Sequence, residues 1–407
     1  MFFYFWDLTV YSIFGPKEFL QKRGERLGKN FAALGKIVVG EYDEVAKIIE
    51  NPQLRSHFLG RARLFPRGFS KNFLLFLSDE DALGERTNHA DLHNHFWRDL
   101  APHAQLNMEK DTKVFQQYLM DGVRKSYKQK SNVQKEEIQR MTIRYILHAF
   151  LGAPMTDNED IVDTFYDLFF AASPFNYILG STKPFIFSFL LPCFRGNKVS
   201  KAVSFIFDSP LLSAYTPNED NANQSKEEYA NLLLDLLGIA GIIGTGTLLI
   251  EIMTQIPDDA EIDVTDEHDV AKAVLEAARR RAPVNNINVI IPKAMTININ
   301  GKPKTIKAGT VVAGSIGLAS LDPGVFPNPN TFDHHRENLL KATMNFNSVG
   351  YSPEGAGKRT CPGRTVAVKM ASAALLLQRA ATQRSKNGKD LFYENPTEET
   401  YLQEGAK

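Results

Sequence analysis

Apolar residues recur at intervals of three and four along most of this chain, and only a few short runs are continuously apolar. A helical pattern spans 17–34, and Lys36–Gly40 (Lys-Ile-Val-Val-Gly) reads as a short buried strand. Asp43 is placed to cap a helix carrying Val45, Ile48 and Ile49, which Pro52 closes. Helical periodicity returns over 113–128, over 133–151 with Ile138, Met141, Tyr145 and Ala149 at helical spacing, and over 161–172. Ser225-Lys226-Glu227-Glu228 has the form of a capping box, and the helix it opens runs past Leu232, Leu237, Ile242 and Leu249 toward Met253. Because it is apolar nearly all round, that helix is expected to cross the middle of the fold. A further helix starts near Thr265 or Asp266 and stops at Pro283. Val289–Ile291, Met295–Ile299 and Val311–Ala313 read as short strands around the turn Asn300-Gly301. The pattern predicts a mainly α fold with a small β region.

Three segments stand out from this periodicity. The centre of the apolar helix, Gly238 to Thr247, spends four glycines where alanine would favour the helix by ~1 kcal/mol each. Either something bulky lies against that backbone or neighbouring helices pack closely on it. Phe65–Leu77 is irregular and aromatic, suited to line an apolar pocket or simply to pack. Phe185–Phe194 is an apolar block too short to span a bilayer, so it packs over the core or dips into an interface.

Composition narrows the functional classes. At 407 residues and 43% apolar content the chain can bury a large core, and no linker or repeat divides it, so one domain over 1–407 is expected. A short aromatic segment, 1–14, precedes the periodic part and is read as packed or membrane-touching. The 47 basic and 47 acidic residues cancel, which gives no electrostatic signal for a nucleic acid or an anionic membrane. Cys193 and Cys361 cannot form a disulfide framework, and a reducing compartment is the simpler expectation. The expected location is cytoplasmic or peripheral to a membrane.

Candidate chemistry gathers at Gly357-Lys358-Arg359-Thr360-Cys361-Pro362-Gly363-Arg364, just ahead of an apolar helical run. A helix N-terminus and nearby cations favour a thiolate at Cys361, which leaves iron ligation, nucleophilic work and a packed thiol open. Glu276 and Arg279, three apart, are neighbours on one helix and alone amount to an ordinary pair. His89 and His93, four apart, share a helix face, but no third ligand stands at zinc-protease spacing.

In this order, Glu276-x-x-Arg279, Phe332-x-x-x-Arg336 and Gly357-x-Arg359-x-Cys361-x-Gly363 resemble the cytochrome P-450 (haem-thiolate) superfamily. The resemblance implies the family's triangular-prism, mainly helical fold and a haem b cofactor whose iron takes Cys361 as axial thiolate. It implies that Glu276, Arg279 and Arg336 form a buried structural triad. Arg359, with His89 and His93, matches haem-propionate contacts, although the family places an arginine where His93 stands. Gly363 belongs to the ligand loop, and Ala240 to the helix crossing the distal face of the haem.

The chain departs from the family pattern in three places. Aligning Ala240-Gly241 with the family's distal motif puts Ile243 where an acid stands and Gly244 where an alcohol stands. Thr245 or Thr247 replaces the alcohol if the register slips; no carboxylate replaces the acid. The phenylalanine usually seven residues ahead of the cysteine is Glu354, whereas Phe346 stands fifteen ahead, so the intervening loop looks enlarged. After Pro283, where relatives carry an arginine, the chain reads Val284-Asn285-Asn286-Ile287-Asn288, and Asn285 and Asn288 are candidates to polarise a substrate oxygen. The first two departures, the missing acid-alcohol pair and the enlarged loop, resemble the peroxide-using branches, the allene oxide synthase, hydroperoxide lyase and fatty-acid peroxygenase groups. The expected function is therefore oxidation of an apolar small molecule such as a fatty-acid derivative, by monooxygenation with a reductase or ferredoxin as redox partner, or by use of a hydroperoxide. A non-catalytic haem or lipid-binding protein is the alternative.

Overall fold

The computed structural model describes residues 19–33, 36–51, 54, 99–126, 135–170, 191–214, 225–299, 302–339, 344, 346, 361 and 363–386. Among the described residues, six strands form two small sheets. One has the order β1 (Phe31–Ala33), β2 (Lys36–Val39), β6 (Val311–Ser315), β3 (Asn286–Ile290); the other pairs β4 (Met295–Ile299) with β5 (Lys302–Ile306). β2 and β6 run parallel, with Ile37 opposite Val312, while β1–β2, β3–β6 and β4–β5 are antiparallel. Ile299 stands opposite Lys302, and the expected turn Asn300-Gly301 between them lies outside the described residues. β5 was not expected from the pattern, because Lys302, Pro303, Lys304 and Thr305 are all exposed and offer no apolar alternation.

Alternation across the larger sheet separates two apolar clusters. Val39, Val289 and Val312 face one containing Ile48, Ile49 and Phe326. Val38 and Ala313 face the other, with Phe19, Leu20 and Phe31.

The start of the chain corrects the expected helix over 17–34. The described helix ends at residue 27, Gly28 takes φ 88°, and residues 31–33 become β1. Gly28 is the left-handed stop that a helix end favours, and Phe31 gains a buried place beside Val38 by pairing as a strand. Asp43 does not cap the next helix, Tyr42–Glu50; Glu41 holds the N-cap position without a side-chain cap bond. The N–H groups at the helix start are met from a distance, Glu41 N by Asn30 Oδ1 (3.2 Å) and Tyr42 N by Asp322 Oδ2 (3.3 Å).

The helical body is built round Lys135–Leu151, whose residues from Ile143 to Leu151 are all buried except Arg144. Helices Ala101–Lys110, Thr112–Ser126 and Glu159–Phe169 pack on it. Ser225 does cap the apolar helix: Glu228 N donates to Ser225 Oγ (3.1 Å) and Ser225 N to Glu228 Oε2 (3.0 Å). This core helix is α-helical over Lys226–Asp235, π-helical over Leu236–Gly244 and α-helical again over Thr245–Gln255. It is long and apolar enough to cross a membrane, but here it runs through the main core cluster. The C-terminal helix, Arg364–Lys386, packs against its second half. Helix Glu267–Arg280 begins as expected, with Asp266 Oδ1 accepting from His268 N (2.9 Å). Phe65–Leu77, the aromatic N-terminal segment and the loop 349–356 lie outside the described residues, and helix Leu191–Phe207 begins within the apolar block.

Candidate haem-thiolate site

The buried triad is the best-defined part of the site. Glu276 and Arg279 have fully buried side chains one helical turn apart, joined by two hydrogen bonds, Arg279 Nε to Oε2 (2.7 Å) and Nη2 to Oε1 (2.8 Å). Arg336 adds Nε to Glu276 Oε1 (3.2 Å). Each guanidinium spends its other protons on backbone carbonyls: Arg279 on Ser320 O (2.7 Å) and Pro329 O (2.6 Å), Arg336 on Pro327 O (2.7 Å) and Thr331 O (2.9 Å). Asp333 N donates to the same carboxylate (3.1 Å). The Arg279 guanidinium also lies over the Phe326 ring, 5.1 Å from its centre. The triad thus pins the irregular segment 320–336, which leads the chain toward Cys361.

Cys361 sits immediately before the C-terminal helix and packs against the main core cluster. Its N–H donates to Phe346 O (2.8 Å), so the phenylalanine fifteen residues ahead lies beside the cysteine in space despite the long intervening loop. Phe346 is itself buried in the same cluster. Burial pushes the Cys361 thiol up, and this outweighs the Gly363 and Arg364 backbone N–H groups and the Arg364 charge, which pull it down. The sequence reading, which weighed only the helix end and the cations, expected a favoured thiolate. An iron held at the sulfur would supply the missing balance, since a coordinated thiol deprotonates. Gly363 is not required by crowding, because a Cβ there would stand 3.9 Å from Sγ in ordinary contact; its N–H is what matters. His89, His93 and Arg359 lie outside the described residues.

The core helix presents an unusual strip. Between turns that are buried, Ile239, Ala240, Ile243, Gly244 and Thr247 remain half-exposed, although the helix crosses the interior. Their spacing places them on adjoining lines of one face, which is apolar apart from the Thr247 hydroxyl. Thr245 is buried on the other side. No carboxylate lies on the strip. A π-helical stretch inside an α-helix is often found at functional sites, and the apolar sequence offers no periodic signal for it.

The four glycines serve different ends. A Cβ on Gly238 would collide with the Phe169 ring, one on Gly241 would come within 2.9 Å of Ile146 Cγ2, and one on Gly246 within 3.3 Å of Phe170 Cζ. Gly244 is open, with only Ile239 O within reach at 3.8 Å. Close helix packing therefore explains three of them, and room on the strip explains the fourth. Gly238→Ala should cost about 1–3 kcal/mol through overpacking. Gly244→Ala should gain up to ~1 kcal/mol of helix propensity. Thermal melting of the two variants checks this, and the reverse order would contradict it.

The asparagines after Pro283 divide. Asn288 lies on β3, and its Oδ1 accepts from Lys36 Nζ (3.1 Å), a bond across the sheet. Burial brings Lys36 down to about 8. Asn285 O accepts from Gly317 N (3.1 Å), while its Nδ2 is buried without a hydrogen-bond partner among the described residues.

The cytochrome P-450 family model matches residues 249–380. Pulcherriminic acid synthase of Bacillus subtilis is 25% identical over 182 residues, 44% of this chain and 42% of that protein. Cytochrome P-450 monooxygenase fumoB of Cordyceps fumosorosea is 40% identical over 81 residues, 17% and 15% of the two chains. The chain thus spans less than half the length of these curated relatives. Among solved structures, a mutant of P-450 EryK in complex with erythromycin B superposes with TM-score 0.62 at 18% identity, covering 90% of this chain and 88% of that one. CYP109E1 of Bacillus megaterium, in complex with corticosterone, gives 0.63 at 16% identity and 90% of both.

Haem is the cofactor of that fold, and the residues fit it. A sulfur donor lies at a helix start with two backbone N–H groups turned to it, and the core helix offers an uncharged strip with room beside Gly244. The chain has the cytochrome P-450 fold along nearly its whole length and the cytochrome P-450 sequence over residues 249–380.

Proposed function

We propose that this chain is a haem-thiolate oxidoreductase acting on an apolar small molecule, with Cys361 as the ligand of iron. The observation that carries the reading is the combination, in one core cluster, of a cysteine braced by backbone N–H groups and a core helix whose half-exposed face carries no charge. Bound haem supplies the oxidising chemistry, with electron density from the thiolate. The chain's own residues do the rest. Cys361 holds the metal, and the Gly363 and Arg364 N–H groups steady the charge on sulfur. Ile239, Ala240, Ile243 and Gly244 keep water away and admit a greasy substrate. Arg359, with His89 and His93, is assigned to the propionates. The triad holds segment 320–336 in place.

The relatives support monooxygenation, which requires an external reductase or ferredoxin. One observation favours hydroperoxide use instead: the strip offers a single hydroxyl, Thr247, and no carboxylate to move protons. A lipid hydroperoxide, such as that of a fatty acid, brings its own oxygen and needs neither. The buried Nδ2 of Asn285 is then a candidate donor to a substrate oxygen.

Turnover with and without an electron donor separates these. Hydroxylated product formed only with NADPH and a reductase supports monooxygenation. Loss of a lipid hydroperoxide without either supports the second reading. Neither reaction from haem-loaded protein, across a panel of apolar substrates, would leave a haem or lipid-binding role.

A further inference from the structure

We propose that Asp269, His334 and His335 form a binding site for a divalent transition-metal ion of the zinc type, on the outer side of the triad. The ligand atoms of these three residues all lie within 4.8 Å of one another. His334 Nε2 stands 3.2 Å from Asp269 Oδ2, and His335 Nδ1 stands 3.6 Å from Oδ1. In a tetrahedral zinc site with ligands at ~2.0–2.1 Å, neighbouring ligand atoms are about 3.3 Å apart. The two imidazole nitrogens approach different oxygens of the one carboxylate at close to this spacing, and with all ligand atoms within 4.8 Å the cluster is compact enough for one ion, with a further position for water.

Two features set this cluster apart from an ordinary ion pair. The His335 side chain is 63% exposed, yet its ring lies 4.0 Å from that of His334 and turns its Nδ1 toward Asp269 rather than water. Asp269, by contrast, is buried and fixed. Its Oδ2 accepts from Asp263 N (2.9 Å) as well as facing His334, while Oδ1 faces His335. One carboxylate is thus anchored on its inner oxygen and offers its outer one.

The surroundings suit a cation. Glu261, Asp263 and Asp266 line the same surface depression, and besides His335 itself Lys272 is its one basic lining residue. Two imidazole nitrogens select zinc-like ions over calcium or magnesium, which prefer oxygen.

The position gives the site a purpose. Asp269 lies seven residues before Glu276 on the same helix, and His334 two residues before Arg336. A metal here would tie the same two segments that the Glu276–Arg336 bond ties, one from outside and one from within. Binding to the folded form alone would raise stability by mass action.

The test uses tag-free, haem-loaded protein dialysed against zinc, with bound zinc measured by atomic emission and melting followed in parallel. One zinc per chain and a raised melting temperature are expected. His335→Ala, at an exposed position, should weaken binding at least ~10-fold and abolish the shift while leaving the haem spectrum unchanged. Asp269→Asn should do the same. No stoichiometric zinc, equal binding by His335→Ala, or calcium binding as tightly as zinc would overturn the proposal.

Discussion

Glu276→Gln should yield little or no haem-loaded protein. The substitution keeps the side chain's size but removes the only carboxylate that Arg279 and Arg336 contact in the triad. Arg279 has no exposed surface, so its charge has no recourse to water. Breaking a buried pair in this way costs about 3–5 kcal/mol, because the surviving ion is left uncompensated. Against a total stability of about 5–15 kcal/mol, that is a large fraction.

The damage should also be directed. Asp333 N exchanges a carboxylate acceptor for a weaker amide oxygen, and with it goes part of the restraint on segment 320–336. Glu276→Asp retains the charge but not the reach, and should fall between the two. Haem content per chain and denaturant unfolding check the order wild type, Asp, Gln; near wild-type haem content in Glu276→Gln would show that the triad is not what holds this region.

How far the sequence foretold this differs from element to element. The capping box at Ser225, the start at Asp266 and the course of the core helix depend on nearby residues and were legible. The order of Glu276-Arg279, Arg336 and Cys361 was legible as a family resemblance. The carbonyls that receive the guanidinium protons were not, because they belong to a loop with no periodicity. The strand at 31–33 was hidden for a similar reason. Its residues are compatible with a helix, and only pairing with Lys36–Val39 decides against one. The same holds for the caps of helix Tyr42–Glu50, where Asn30 and Asp322 do what Asp43 was expected to do.

At the site, sequence could show that the core helix has Ile243 where the family's distal motif has an acid, but not which face it turns inward. The structure separates Thr247, on the strip, from buried Thr245. Phe346 could not be tied to Cys361 by spacing alone, because fifteen residues intervene. Asp269, His334 and His335 were not singled out from the sequence, because 65 residues separate the aspartate from His334. What would have linked them is the shared geometry of Asp269 with Glu276, two helical turns apart, and of His334 with Arg336.

Cys361 is the proposed iron ligand on which every other role at the site depends. Serine in its place keeps the size of the group but is a far weaker donor, so the thiolate character of the haem should vanish. The deciding measurement is the difference spectrum of the reduced protein with carbon monoxide, recorded for wild type, Cys361→Ser and Cys193→Ser. Wild type and Cys193→Ser should show the strongly red-shifted Soret band of thiolate-ligated haem, and Cys361→Ser should lose it. An unchanged band in Cys361→Ser, or no red-shifted band in haem-loaded wild type, would contradict the assignment.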